Sequence, residues 1–171
     1  DGFEFFGGTV NVKYLSAIYC GDDSFDTDQG YAGKMQFLFA LVGYSGHHAA
    51  EMDGRGSASD TTLTRSSPTV YGATFISGGL TNIHNADSNG ASDPLIYFTD
   101  AASGTYNNMV VSHTSNVNGI KIDSSGSDNS CDGASGVKWS SNNIVYNSHG
   151  VSSFAAWNTG CSSGDFATPP A

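Results

Sequence analysis

Phe25-Asp26-Thr27-Asp28, Ala50-Glu51-Met52-Asp53 and Ile120-Lys121-Ile122-Asp123 share one pattern: apolar or small side chains alternate with polar ones, and an aspartate closes the run. Successive side chains of an extended strand point to opposite faces. Phe25 and Thr27, Ala50 and Met52, and Ile120 and Ile122 are therefore expected inside. Asp26, Asp28, Glu51, Asp53, Lys121 and Asp123 are expected outside. Each large apolar side chain buried contributes roughly 1.5–3 kcal/mol. A slip of one residue would put carboxylates in the core, so the alternation fixes the register.

Phe3-Glu4-Phe5-Phe6 and Ile96-Tyr97-Phe98-Thr99-Asp100 have the same form. Each run is followed by a Gly- or Ser-containing turn and then by a second kind of strand, at 9–14, 35–41, 69–76, 106–111 and 143–146. Helical periodicity is almost absent, and the apolar stretch 31–42, with its aromatic content and flanking glycines, reads as a buried strand. Asp28 and Asp53 are 25 positions apart and Asp100 and Asp123 are 23 apart. Asp53 and Asp100 are separated by 47, an interval that contains the loop-like stretches 54–67 and 77–93.

Matched strands recurring in one order at about two dozen residues predict an all-β fold, a right-handed parallel β-helix of about five to seven coils with loop insertions. Residues 1–171 are read as a single domain of this kind. A leucine-rich repeat has a similar period, but its Leu/Asn consensus is missing. An antiparallel sandwich also spaces short strands by turns, yet does not require the same set to recur in order. Coils stack at about 4.8 Å, so the outward acids form a column.

The chain has 171 residues, 6 Lys+Arg against 16 Asp+Glu, and a formal net charge of −10. This balance excludes the basic footprint of a nucleic-acid binder and disfavours anionic membrane surfaces. No apolar run reaches the ~20 residues of a membrane span. Twenty-two glycines and a charged fraction of only 13% suit an extracellular or cell-surface all-β protein. No Asn-x-Ser/Thr sequon is present. Because Phe3–Phe6 already reads as a strand, the chain is expected to be a processed product or part of a longer one. Of the three cysteines, Cys131 and Cys161 lie in turn-like segments and are candidates for a disulfide. Cys20 closes an apolar stretch and reads as a buried thiol.

The stretches 1–14 and 20–31, with Gln36-Phe37, resemble a group of poorly characterised bacterial and marine-microbial proteins. These are secreted or lipoprotein-like chains with a pectate-lyase-like parallel β-helix. Pro68-Thr69-Val70-Tyr71-Gly72-Ala73-Thr74-Phe75-Ile76 and Gly104-Thr105-Tyr106-Asn107-Asn108-Met109-Val110-Val111 also look like coils of that group. The resemblance covers residues 1–125 and implies the fold and an extracellular location, but no activity.

The densest charge lies at Asp22, Asp23, Asp26 and Asp28, to which stacking adds Glu51 and Asp53. Oxygen-rich clusters suit Ca²⁺, which takes 6–8 oxygen ligands, although the spacing is not that of an EF-hand. The plainer reading is a solvated acidic face with no cofactor required. Two enzymatic readings grow from the same column. Glycoside hydrolysis would pair Asp26 with Glu51 or Asp53. A Ca²⁺-dependent lyase, as the resemblance to pectate-lyase-type helices implies, would use Lys121 or Arg55 as proton acceptor. Any stacked column supplies carboxylate pairs, however, and basic residues are too scarce to hold a polyuronate. Adjacent His47 and His48 with a carboxylate are metal-ligand types, but neighbours in a loop do not readily face one ion. His84, His113 and His149 read as structural. Phe6, Tyr31, Tyr44, Tyr71, Tyr97, Trp139 and Trp157 are aromatics that could stack on sugars or fill the core.

The sequence therefore points first to a non-catalytic, extracellular structural β-helix, either adhesive or assembling end to end into filaments through its open ends. The alternative is a carbohydrate-active β-helix that binds or cleaves an extracellular polysaccharide. Partners are expected to be further copies of the chain or a glycan, with neither nucleic acid nor membrane insertion.

Overall fold

The computed structural model describes residues 1–43, 46–57, 59–77, 94–113, 119–125, 128–131, 135–140, 142–147 and 158–159. Two kinds of strand alternate along the chain. The first kind comprises β1 (Phe3–Phe6), β3 (Phe25–Asp28), β5 (Ala50–Asp53), β8 (Ile96–Thr99), β11 (Ile120–Ile122) and β16 (Asn158–Thr159), which pair in that order in one six-stranded sheet. The second kind comprises β2 (Val12–Ile18), β4 (Lys34–Val42), β6 (Thr69–Tyr71), β7 (Thr74–Ser77), β9 (Gly104–Asn107), β10 (Val110–His113), β14 (Val137–Trp139) and β15 (Ile144–Asn147). Every pairing in both sheets is parallel. The exception is a short antiparallel hairpin, β12 (Ser124–Ser125) with β13 (Asp128–Asn129), in the fifth coil. Among the described residues the fold is a parallel β-helix of five coils, with β16 beginning a sixth.

The alternation sets the core as the sequence predicts. Phe3, Phe25, Ala50, Ile96 and Ile120 stack in register on one inward column, and Phe5, Thr27, Met52, Phe98 and Ile122 on the next. Phe25, Thr27, Phe98 and Ile120 are fully buried, and the Thr27 hydroxyl donates to Met52 Sδ at 3.3 Å. Facing them from the other side are Val12, Met35, Val70, Tyr106 and Trp139. Across the core the Phe25 and Phe75 rings lie 5.9 Å apart, and Phe98 meets Tyr106 edge-on at 4.9 Å.

Two expectations change and one open reading closes. From the third coil on, the second strand is not one run but two, broken at a left-handed corner. Tyr14 (φ 60°), Phe37 (φ 57°), Gly72 (φ 73°) and Asn108 (φ 51°) occupy equivalent positions and all lie in the left-handed region. Glycine enters that region without strain and asparagine tolerates it. In the first two coils the corner falls within β2 and β4, which run through it, and the Tyr14 and Phe37 rings stack at 5.2 Å. Second, Asp53 pairs with Thr99, not with Asp100. Asp100 (φ 48°) begins a turn instead, so the true step from Ile96 to Ile120 is 24 residues. Third, Tyr31 and Trp139, which the sequence left open between sugar stacking and core, are core residues. Burial of large rings is the stronger driving force, and the Tyr31 hydroxyl is satisfied by donating to the Val10 carbonyl at 2.8 Å.

Candidate functional site

The outward side of the first sheet carries one column through Glu4, Asp26, Glu51, Tyr97 and Lys121. Asp28 lies beside it on β3, Asp53 on β5 opposite Thr99, and Asp123 just beyond β11. The acidic column is thus real over three coils and is then broken by a tyrosine. Nothing in the local pattern of Ile96-Tyr97-Phe98-Thr99 marks that break except the identity of the residues themselves.

The upper part is crowded with carboxylates held partly out of water. Asp26 is pushed up to about 7, first by burial and then by Asp53, Asp23, Glu4 and Asp28. Its Oδ1 is buried with no hydrogen-bond partner among the described residues. Glu51 is pushed well above the usual range by burial and by its hydrogen bond to Asp23. Burial would also raise Asp23, but hydrogen bonds from His47 and Glu51 and from the His48 backbone outweigh it and keep this carboxylate ionised. The proton of the pair therefore sits on Glu51, which donates to Asp23. Like charges one rung apart cannot all ionise cheaply.

The lower part is a closed network. The Lys121 ammonium donates to the Tyr97 hydroxyl at 2.7 Å and lies 3.4 Å from Asp123 Oδ1. The Tyr97 and Thr99 hydroxyls donate to Asp123 Oδ2 at 2.6 and 2.9 Å. Burial alone would lower the Lys121 pKa, but Tyr97 and Asp123 overcome it and raise the value. A lysine held protonated in this way is poorly suited to accept a proton. Arg65 is likewise engaged, donating to the carbonyls of Ala101, Ala102 and Asn129 at 2.5–2.9 Å.

Asp22, Asp23, Asp26, Asp28, Glu51 and Asp53 do not converge as one ligand set. Among the described residues, the trios whose ligand atoms lie within 4.8 Å of one another are Asp23 with His47 and His48, Asp1 with Asp22 and Asp23, and Asp1 with Glu4 and Asp26. Asp28 turns to its own loop, where its Oδ1 accepts from the Gln29 backbone at 2.6 Å. The histidine pair, which adjacency in a loop argued against, sits beside Asp23.

The opposite side of the helix holds a feature that the sequence reading did not pick out. Beyond the left-handed corner, Ile18, Leu41, Ile76 and Tyr146 occupy one outward column through Ser112, and Phe39, Val110 and Ile144 belong to the next. Ile18, Ile144 and Tyr146 are 54–60% exposed. A period-two signal was present in β4, where Phe39 and Leu41 alternate with Ala40 and Val42, but both sets are apolar and the outward one could not be told from the inward one. Phe6 and Tyr71 are exposed, whereas Tyr44 and Trp157 lie outside the described residues. So do His84 and His149. Cys20 is a free, half-buried thiol and Cys131 is disulfide-bonded; Cys161 lies outside the described residues.

The family model described as a pectate-lyase-like β-helix domain matches residues 1–132. No curated protein and no solved structure gives a significant match.

Proposed function

The chain belongs to the pectate-lyase-like β-helix family, and from that premise we propose that it is a non-catalytic structural or adhesive subunit of an extracellular or cell surface, which associates with further copies of itself. The observation that carries this reading is the apolar outer face made by Ile18, Phe39, Leu41, Ile76, Val110, Ile144 and Tyr146. Apolar side chains exposed together on one sheet face, as Ile18, Val110, Ile144 and Tyr146 are, mark sites of protein association. The engagement of Lys121 supports the non-catalytic half, because it occupies one of the two bases, Lys121 and Arg55, that a lyase would use. The disulfide at Cys131 and the low-lysine composition support an oxidising, extracellular setting. Association through this lateral face differs from the end-to-end stacking that open strand edges suggest. Filaments in electron micrographs would favour stacking.

Light scattering over a concentration series tests the reading. Association that is lost in Ile18→Ser/Ile144→Ser, with the fold retained by circular dichroism, supports it. A monomer at every concentration overturns it.

One observation favours a carbohydrate-active alternative. Asp26 and Glu51 stand on adjacent rungs and both hold protons near neutral pH, as a general acid must. Incubation with alginate, pectate and neutral glucans, read for new reducing ends or unsaturated uronate, exposes such an enzyme. Activity abolished by Asp26→Asn and by Glu51→Gln would establish it. A Ca²⁺ ion neutralising this column is the accompanying expectation, and melts with Ca²⁺ and with chelator read it directly.

A further inference from the structure

Asp22 and Asp23 precede β3, and His47 and His48 precede β5. Stacking of successive coils places them side by side. The His47 N–H donates to the Asp22 carbonyl at 3.2 Å, and the Ser24 N–H to the His48 carbonyl at 2.9 Å. Residues 25 positions apart thus become rung neighbours. Asp23 Oδ1 accepts from the His48 N–H at 2.7 Å, which fixes the carboxylate. The two imidazoles lie with centroids 4.0 Å apart, tilted by 38°.

We propose that Asp23, His47 and His48, with Asp22 beside His47, form a binding site for one divalent ion of the Zn²⁺ class, cross-linking two coils. Three observations carry it. His47 Nδ1 is 3.6 Å from Asp23 Oδ1 and 3.6 Å from Asp22 Oδ1. These separations are near the edge of about 3.4 Å that a tetrahedron with bonds of about 2.0–2.2 Å requires. Ligand atoms of Asp23, His47 and His48 all lie within 4.8 Å of one another. His48 is buried, and its Nδ1 meets the Pro94 carbonyl of the following coil at 2.6 Å. A backbone carbonyl on one ring nitrogen is the means by which metal-binding imidazoles are oriented and their tautomer set. Two imidazoles with carboxylates favour a borderline ion over Ca²⁺, which prefers a larger all-oxygen shell. The site adjoins the Asp26 column, since Glu51 donates to Asp23, but does not depend on the function proposed above.

Titration of the full chain with Co²⁺, followed by visible absorption, and with Zn²⁺, followed calorimetrically, tests the proposal. The expected result is one equivalent bound with the intense visible bands of tetrahedral Co²⁺. His47→Gln and Asp22→Asn should each weaken Zn²⁺ binding at least about ten-fold. Both side chains are partly exposed, at 31% and 61%, so both variants should fold, which circular dichroism without metal verifies. A His84→Gln/His113→Gln/His149→Gln variant should bind as the parent does, and excess Ca²⁺ should not compete. Absence of saturable uptake below millimolar Zn²⁺ overturns the proposal. So does stoichiometric uptake that survives His47→Gln or disappears in the triple variant.

Discussion

Asp26→Asn should stabilise the protein at pH 8 and leave it nearly unchanged at pH 4. The Asp26 carboxyl is raised from 3.8 to about 7, with burial first among the causes and Asp53 next. A folded-state value above the unfolded one means that the stabilising contribution is complete below about pH 4. It is lost as pH rises toward and through about 7, because the folded state then carries a carboxylate that the unfolded chain ionises freely. The full difference corresponds to roughly 4 kcal/mol at about 1.36 kcal/mol per pH unit. Asp26 is only partly buried, and water reaching the rest of its carboxyl screens much of this, leaving about 1–2 kcal/mol. Asparagine has nearly the same shape and no charge to desolvate. For a chain of this size the gain is an increase in Tm of about 2–8 °C at pH 8. Calorimetric melts of parent and variant from pH 4 to pH 8 measure it. If the variant is less stable than the parent at pH 8, or if the difference between them does not grow with pH, charge crowding on this sheet is not what the geometry implies.

Phe98 is fully buried at the centre of the stacked core, against Tyr106, so Phe98→Ala should cost about 3–5 kcal/mol in urea unfolding. Arg65→Ala strips three backbone carbonyls of a charged donor and should cost about 2–4 kcal/mol, with increased amide exchange at 101–103 and 129–130 as the local signature. Cys131→Ser opens a disulfide and should lose about 2–4 kcal/mol. Cys20→Ala, at a free half-buried thiol, should lose less than half as much, and the reductant sensitivity of Tm should vanish only in the Cys131 variant.

What the sequence determined by itself was the alternation. Phe25 and Thr27 against Asp26 and Asp28, or Ala50 and Met52 against Glu51 and Asp53, assign their own inward and outward faces, because burying a carboxylate costs more than any neighbouring contact returns. Recurrence of the set in one order then gave the solenoid, since parallel stacking is the arrangement that lets each coil repeat the last. What only the tertiary structure decided was which residues become neighbours across coils. The placement of Thr99 rather than Asp100 on the rung of Asp53 depends on where a loop closes, and that is not a local property. The left-handed corner at Tyr14 and Phe37, two residues without an intrinsic preference for it, follows the register shared with the neighbouring coils. The apolar column from Ile18 to Tyr146 was hidden because apolar residues occupied both faces of its strand. The meeting of Asp23 with His47 and His48 likewise required the coil register, which converts a separation of 25 residues into one rung.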